Sequence, residues 1–536
     1  MQLSSTTRRR FLQTTGLAAA ALTAPAALVA QTKTQNRLNL LLITADDLNC
    51  SSVGAFGCKV KDTTPNIDKL AADGIRFDHG YVTVAVCQPS RGIWMTGRYP
   101  HNSGVEGFQK APKRIPTLYS VLKKNGYHIG MLGKMGHSTP VMPFEFDMIH
   151  DGDKLARGRD PKKYASYIKD FIAAAQAADK PFFMMANSHD PHRPFHGGDQ
   201  EKGKFKDLVK TFATPSKVFT RKEVSVPGFL PKLPEVRKEI AEYFSSVRRC
   251  DDTVGAILAE LDHAGVAENT LVMFMSDNGM ALPFAKTNCY FHSNRTPWIV
   301  RYPAVSKPAV DQTHFIGGID LMPTMLDAAG IQVPNNVDGR SFLPVLQGKT
   351  LKGWDYVITQ FHETSGKRRF PMRAIHTKKF GYIYSPWSNG KTAFKNESQS
   401  GRTWKAMQAA AKTDASIRAR VKLFSYRMVE EFYDFSIDPD GLKNLIDDPS
   451  YKQKIDELRA TMLAELKKIG DPAAVPLANP TCEETRKKFM ADQAERSMEL
   501  RKHKVAKTAK EQIEKIRKKT PAQIRAARNK RKAAKE

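Results

Sequence analysis

Short apolar runs alternate with amphipathic stretches along most of the chain. Leu38-Asn39-Leu40-Leu41-Leu42-Ile43-Thr44 is an apolar run that ends in Ala45-Asp46-Asp47, and residues 127–132, 181–187 and 270–276 repeat the pattern. Runs of this length, bounded by polar or turn residues, predict strands buried on both faces. Residues 115–125 and 236–264 instead space their apolar positions at three and four, which predicts helices stopped near Gly126 and Gly265. This alternation predicts an α/β domain built on a large, mostly parallel sheet flanked by helices. Ligands of such sheets gather beyond the carboxyl ends of the strands. Each run delivers polar residues there: Asp46 and Asp47, Lys134, His189, and Asp277 with Asn278. After about Gly348 the texture turns Tyr- and Phe-rich, then helical over 451–468. A catalytic domain over 37–348 and a smaller C-terminal α+β domain over 349–480 follow from that change.

Composition narrows the class. The 536 residues are 41% hydrophobic, 26% charged and 9% aromatic, as in a globular protein. Six cysteines without a C-x-x-C pair exclude a disulfide scaffold and a zinc ribbon. No apolar run in the body reaches the roughly 18 residues of a spanning helix. Lys and Arg total 84 against 55 Asp and Glu, a net charge of +29, but residues 481–536 alone hold 19 basic and 8 acidic side chains. Basicity therefore says little about the body. That tail has few large aliphatics and is expected to be a frayed helix or disordered, a solvated charged appendage, with a tether to anionic glycan, membrane or nucleic acid as the alternative. Phe489 is its one aromatic, so no specific nucleic acid is expected. At the other end, Thr7-Arg8-Arg9-Arg10-Phe11-Leu12-Gln13 precedes an Ala-rich apolar stretch to Ala30. Residues 1–30 read as a twin-arginine signal peptide, which implies a twin-arginine translocon as partner and a periplasmic or extracellular product. A homo-oligomer is compatible with everything so far.

The candidate chemistry starts from Asp46 and Asp47. Adjacent carboxylates repel, and a cation is their natural compensation. With Asp277 and Asn278 they form a hard oxygen donor set, suited to Ca²⁺ or Mg²⁺ better than to zinc. Residues 87–97 read C-Q-P-S-R-G-I-W-M-T-G. Together with the Asp pairs, this string closely resembles the signature of the formylglycine-dependent sulfatases over roughly residues 38–475.

The resemblance implies an alkaline-phosphatase-like fold and assigns roles residue by residue. Cys87 would be oxidised to formylglycine by a formylglycine-generating or sulfatase-maturing enzyme, with Arg91 as its hydrogen-bonding partner. Asp46, Asp47, Asp277 and Asn278, completed by the modified Cys87, would hold one Ca²⁺. Lys134 matches the lysine of a G-K-x-H motif, but here G-K-M-G-H sets His137 three residues on instead of two. His189 would be the general acid, His137 a base, and Lys286 a sulfate-binding residue. A hydrated aldehyde carries two hydroxyls: one attacks sulfur and the other expels sulfate, which a plain thiol could not do. Within the family, residues 182–193, 276–290 and 361–375 look most like the N-sulfoglucosamine sulfohydrolases, or sulfamidases. That likeness implies a sulfated glycan substrate, the N-sulfate of terminal glucosamine in heparan-type chains, with His362, Glu363 and Arg373 in the sugar subsite. The alternatives are an O-sulfatase acting on another sulfated carbohydrate, a phosphatase or phosphodiesterase of the same superfold, and a catalytically silent glycan-binding protein.

Overall fold

The computed structural model of the protein describes residues 37–499. The signal segment and the tail beyond residue 499 lie outside the described residues. Residues 38–499 belong to one compact unit. In chain order the strands are β1 (Asn39–Asp46), β2 (Ile75–Phe77), β3 (Gly80–Tyr81), β4 (His128–Leu132), β5 (Met148–His150), β6 (Phe182–Pro191) and β7 (Thr270–Ser276). They continue as β8 (Trp298–Arg301), β9 (Ala309–Asp311), β10 (Ile316–Gly317), β11 (Tyr356–Glu363), β12 (Arg369–Thr377), β13 (Phe380–Tyr384) and β14 (Glu430–Asp434).

Eight strands form the main sheet in the order β5-β4-β6-β1-β7-β8-β2-β9. The five from β5 to β7 are mutually parallel, and β8 alone runs against its neighbours. The four apolar runs of the sequence are thus the sheet's centre, β4-β6-β1-β7. Every residue of β1 is buried, because both faces are covered. Leu41 and Ile43 face one core with Phe171 of α2 (Pro161–Ala177) and Ile240 and Val247 of α3 (Pro234–His263). Leu40 and Leu42 face the other, with Leu118, Leu122, Leu321 and Met325. The period of two along β1 assigns alternate side chains to the two cores. The expected helix near 115–125 begins at Leu118, where Thr117 and Ser120 make a reciprocal capping box.

A second, antiparallel sheet orders β11-β12-β13-β14. Its Ile375, Tyr382 and Phe432 pack on Leu458, Met462 and Leu466 of α4 (Lys452–Lys468). The large sheet with flanking helices and the C-terminal antiparallel sheet agree with the expected fold class. The beginning of the basic tail corrects its expectation. Residues 483–499 form a helix that docks through Phe489, 5% exposed and joined to the α4 core. Arg496 pairs with Glu106 at 2.6 Å, Arg486 donates to the Ser388 carbonyl at 2.9 Å, and the Ser497 hydroxyl bonds Glu363 at 3.1 Å. One aromatic anchor and three polar ties replace the apolar stripe that the periodicity lacked.

Candidate active site

Adjacent residues of a strand point to opposite faces, so Asp46 and Asp47 would diverge if β1 ran on. Asp47 instead adopts φ 70°, in the left-handed region. The chain turns there, and both carboxylates, each fully buried, face the same place. At the end of the neighbouring β7, Asp277 accepts the Asp47 N–H at 3.1 Å, and the Asn278 amide donates to the Asp47 carboxylate at 2.7 Å. Gly279 follows because no side chain fits: a Cβ there would stand 2.1 Å from the His292 carbonyl oxygen.

The nucleophile motif opens α1 (Cys87–Thr96), all ten residues of which are buried. Cys87 and Arg91, four apart, share one face of the helix. Arg91 is fully buried and donates from Nε and Nη2 to one oxygen of Asp277 at 3.0 and 2.8 Å, and from Nη1 to Thr44 and Asn187 at 2.9 and 2.6 Å. No side chain caps the N-terminus of α1, whose positive end favours an anion beside Cys87. Burial pushes the Cys87 thiol up to about 12, which makes the unmodified side chain inert at neutral pH.

Two lysines reach in. Gly133 and Lys134 both take positive φ at the end of β4, and this turn sets the Lys134 ammonium directly against Asp46. Burial, in spite of the acids nearby, draws Lys134 down to about 8. Lys286 is fully buried between Asp47 at 2.7 Å and Glu397 at 2.9 Å. Burial opposes its charge, yet the two carboxylates hold Lys286 above the ordinary lysine range. His189, near the end of β6, accepts the Lys134 backbone N–H on Nε2 at 3.2 Å, leaving Nδ1 to carry the proton. Burial and then Lys134 hold His189 well below the usual histidine range. Gly158, at φ 74°, leaves room for this ring, because a Cβ would lie 2.5 Å from it.

The donor set fits a divalent cation. Oδ2 of Asp46 meets Lys134, but its Oδ1 and the amide oxygen of Asn278 are buried and accept no hydrogen bond, and orphaned buried oxygens of this kind call for a partner. Asp46, Asp47 and His192 offer ligand atoms within 4.8 Å of one another. The Lys134 ammonium beside Asp46 shows how strongly the spot attracts positive charge.

Residues 38–331 match the sulfatase family. The chain belongs to the sulfatase family. Residues 281–389 also match the C-terminal domain of N-sulphoglucosamine sulphohydrolase. The human N-sulphoglucosamine sulphohydrolase is 29% identical over 78% of this chain and 88% of its own. An ulvan-active sulfatase of Formosa agariphila is 27% identical over 81% of this chain and 80% of its own. Among solved structures, an enzyme in complex with its substrate D-glucosamine-2-N,6-O-disulfate has TM-score 0.59 at 20% identity, covering 81% of this chain and 99% of that one. The protein is a sulfuric ester hydrolase, similar to N-sulphoglucosamine sulphohydrolase over most of its length.

This sulfatase brings Asp46, Asp47, Cys87, Arg91, Lys134, His189, Asp277, Asn278 and Lys286 together. His137 sits on the short helix Met135–Ser138 with its ring edge-on to Phe108 at 5.6 Å. Burial, and then Lys134 and Arg91, draw it down to about 3. His362 and Glu363 end β11 in a buried polar cluster: His362 lies 4.0 Å from Glu106, and Glu363 lies 3.6 Å from Arg369. The loop carrying Glu106 also holds Gln88 through the Gln109 carbonyl at 2.8 Å, so the cluster adjoins the Cys87 helix. Arg373 corrects the sequence reading. It is 1% exposed, pairs with Asp471 through Nε at 2.5 Å and Nη2 at 2.9 Å, and donates from Nη1 to the Phe361 and Met372 carbonyls. Its guanidinium is committed to the packing of β12 and is not offered to a sugar.

Sequence reasoning missed several partners. Thr44 shares a strand face with Asp46, and Asn187 precedes the S-H-D-P-H-R-P string, so their positions carried a signal. Asp151, 3.9 Å from His189, and Glu397 carried none, because no motif surrounds either.

Proposed function

We propose that this sulfatase removes the N-sulfate of terminal glucosamine in heparan-type chains, with Cys87 converted to formylglycine and one Ca²⁺ held by Asp46, Asp47, Asp277 and Asn278. The observation that carries the substrate class is the sulphohydrolase-type match over 281–389, the segment that contributes Lys286, His362 and Glu363. Formylglycine supplies a nucleophilic hydroxyl, and Ca²⁺ supplies charge beside the sulfuryl oxygens. Arg91 keeps the Cys87 face of α1 oriented toward Asp277. Lys134 and Lys286 bind sulfuryl oxygens and offset the charge that develops on them. His189 holds the proton destined for the departing nitrogen, a task that requires it to gain a second proton when substrate binds. Residues 1–30 would direct the enzyme to the periplasm or the cell exterior.

The test incubates the enzyme with glucosamine carrying only N-sulfate, then with sugars carrying only 2-O- or 6-O-sulfate. Sulfate release from the N-sulfated sugar is expected, with formylglycine in the mass spectrum of the Cys87 peptide. Release from an O-sulfated sugar alone would reject the sulfamidase assignment and leave the sulfatase chemistry intact.

A further inference from the structure

Glu397 stands outside both family matches, which end at residues 331 and 389. It opens a single 3₁₀ turn, Glu397–Gln399, that follows the second sheet's β13 by a long connection. One carboxylate oxygen accepts from Lys286 Nζ at 2.9 Å and the other lies 3.0 Å from His192 Nε2. Lys286 and Asp47 are closed to solvent, whereas the Glu397 and His192 side chains are 28% and 24% exposed. The ammonium that meets the sulfuryl group therefore has an open carboxylate as its other neighbour. A carboxylate at the mouth of an anion site accepts hydrogen bonds from hydroxyl or N–H groups that accompany the scissile group. The same carboxylate repels a second anion brought in beside it, which is discrimination by an unfavourable contact.

Resting on the reading of the substrate as a sulfated sugar, we propose that Glu397 is a specificity determinant that selects a sugar with a free hydroxyl next to the sulfate being removed and rejects one with a second sulfate there. Its chemistry is that of a hydrogen-bond acceptor toward the sugar ring, with Lys286 and His192 fixing its orientation.

The measurement compares glucosamine N-sulfate with glucosamine N,3-O-disulfate as substrates of the wild-type enzyme, Glu397→Gln and Glu397→Asp. Sulfate release gives kcat/KM, and calorimetry gives the affinity for both sugars in the Cys87→Ala background, where no turnover occurs. The wild-type enzyme should prefer the mono-sulfated sugar. Glu397→Gln should narrow that preference about ten-fold, the effect of removing one like charge at short range, and Glu397→Asp should restore most of it. An unchanged ratio in Glu397→Gln, even with both sugars slowed equally, would mean that Glu397 only braces Lys286, and would overturn the proposal. Absence of sulfate release from, and of binding to, either sugar by the wild-type enzyme would instead reject the sulfated-sugar reading on which it stands.

Discussion

Arg91 and Arg373 are both fully buried and both grip a carboxylate, and what remains unsatisfied around them separates chemistry from architecture. Asp277, held by Arg91, lies beside Asp46 and Asn278, each of which keeps one buried side-chain Oδ1 that accepts no hydrogen bond. Asp471, held by Arg373, is saturated: it also takes the Gln360 side chain and the Ala473 N–H, each at 2.9 Å. A satisfied buried pair leaves nothing to offer a ligand. Removing Arg373 would strand Asp471 as an unpaired buried charge, which costs about 3–5 kcal/mol. Arg373→Ala should therefore melt several degrees lower at pH 7 while keeping the wild-type ratio of activities on a sulfated sugar and a small aryl sulfate. The pH dependence has a definite sign. Against the opposing pull of burial, Arg373 holds Asp471 below the usual carboxylate range. The pair's contribution is then fully present above the unfolded carboxylate value of about 4 and is lost only as pH falls through the depressed folded value. In Arg373→Ala the stranded carboxylate relieves its cost by taking a proton, so the melting difference should narrow from pH 7 toward pH 5. A selective loss on the sugar with unchanged melting would return Arg373 to the substrate pocket.

At the scale of elements, strands and their exits were legible because burial on both faces writes itself as an unbroken apolar run. β4 and β7 end where their runs stop, β1 and β6 continue past theirs to Asp46 and Pro191, and the polar residues at these ends converge. The α1 motif was legible from C-Q-P-S-R, in which the four-residue spacing of Cys87 and Arg91 is the helix period itself. Pairings across long sequence distances were not. Glu397 meets Lys286 across 111 positions, and no local pattern anticipates a contact of that kind. The helix 483–499 escaped for another reason: its one buried aromatic sits in a charged stretch, and its two arginines find the Glu106 carboxylate and the Ser388 carbonyl. This docking carries a prediction. Shortening the chain after residue 482 uncovers the Phe489 pocket and leaves Glu106 without Arg496, whereas shortening it after residue 499 keeps both contacts. Loss of a buried phenylalanine removes about 1.5–3 kcal/mol, before any effect of leaving Glu106 with Arg369 as its remaining arginine partner. The first variant should melt several degrees lower than the second and lose turnover through the Glu106–Glu363 cluster. Equal melting temperatures would show that the helix contributes nothing to the fold.

On the scale of the whole molecule, the net charge of +29 does not describe the site. Asp46, Asp47, Asp277 and Glu397 face Arg91, Lys134 and Lys286, four negative groups against three positive ones, all but Lys134 and Glu397 closed to solvent. Such a balance binds a sulfate ester poorly, because each cation is already neutralised by its own carboxylate. On the proposed reading, Asp46, Asp47 and Asn278 would hold a divalent cation, and Lys134 and Lys286 would then be free for the sulfuryl oxygens. Net charge at the site would rise by two, with the field concentrated by the low-dielectric walls around it. Binding only to the folded state, the ion also stabilises it, by about 2.7 kcal/mol at a hundred times its dissociation constant. Calorimetric melting in a chelator and then in graded Ca²⁺ should therefore show a transition that climbs with the ion, and sulfate release should return over the same concentrations. Asp46→Asn, which keeps the shape but removes a charge from the donor set, should flatten that climb and shift the recovery of activity to higher Ca²⁺. Mg²⁺ in place of Ca²⁺ tests the identity of the ion, since its smaller octahedral shell tolerates fewer protein oxygens. A melting temperature indifferent to Ca²⁺, with full turnover after thorough chelation, would leave Lys134 and Lys286 as the site's only compensation for Asp46 and Asp47.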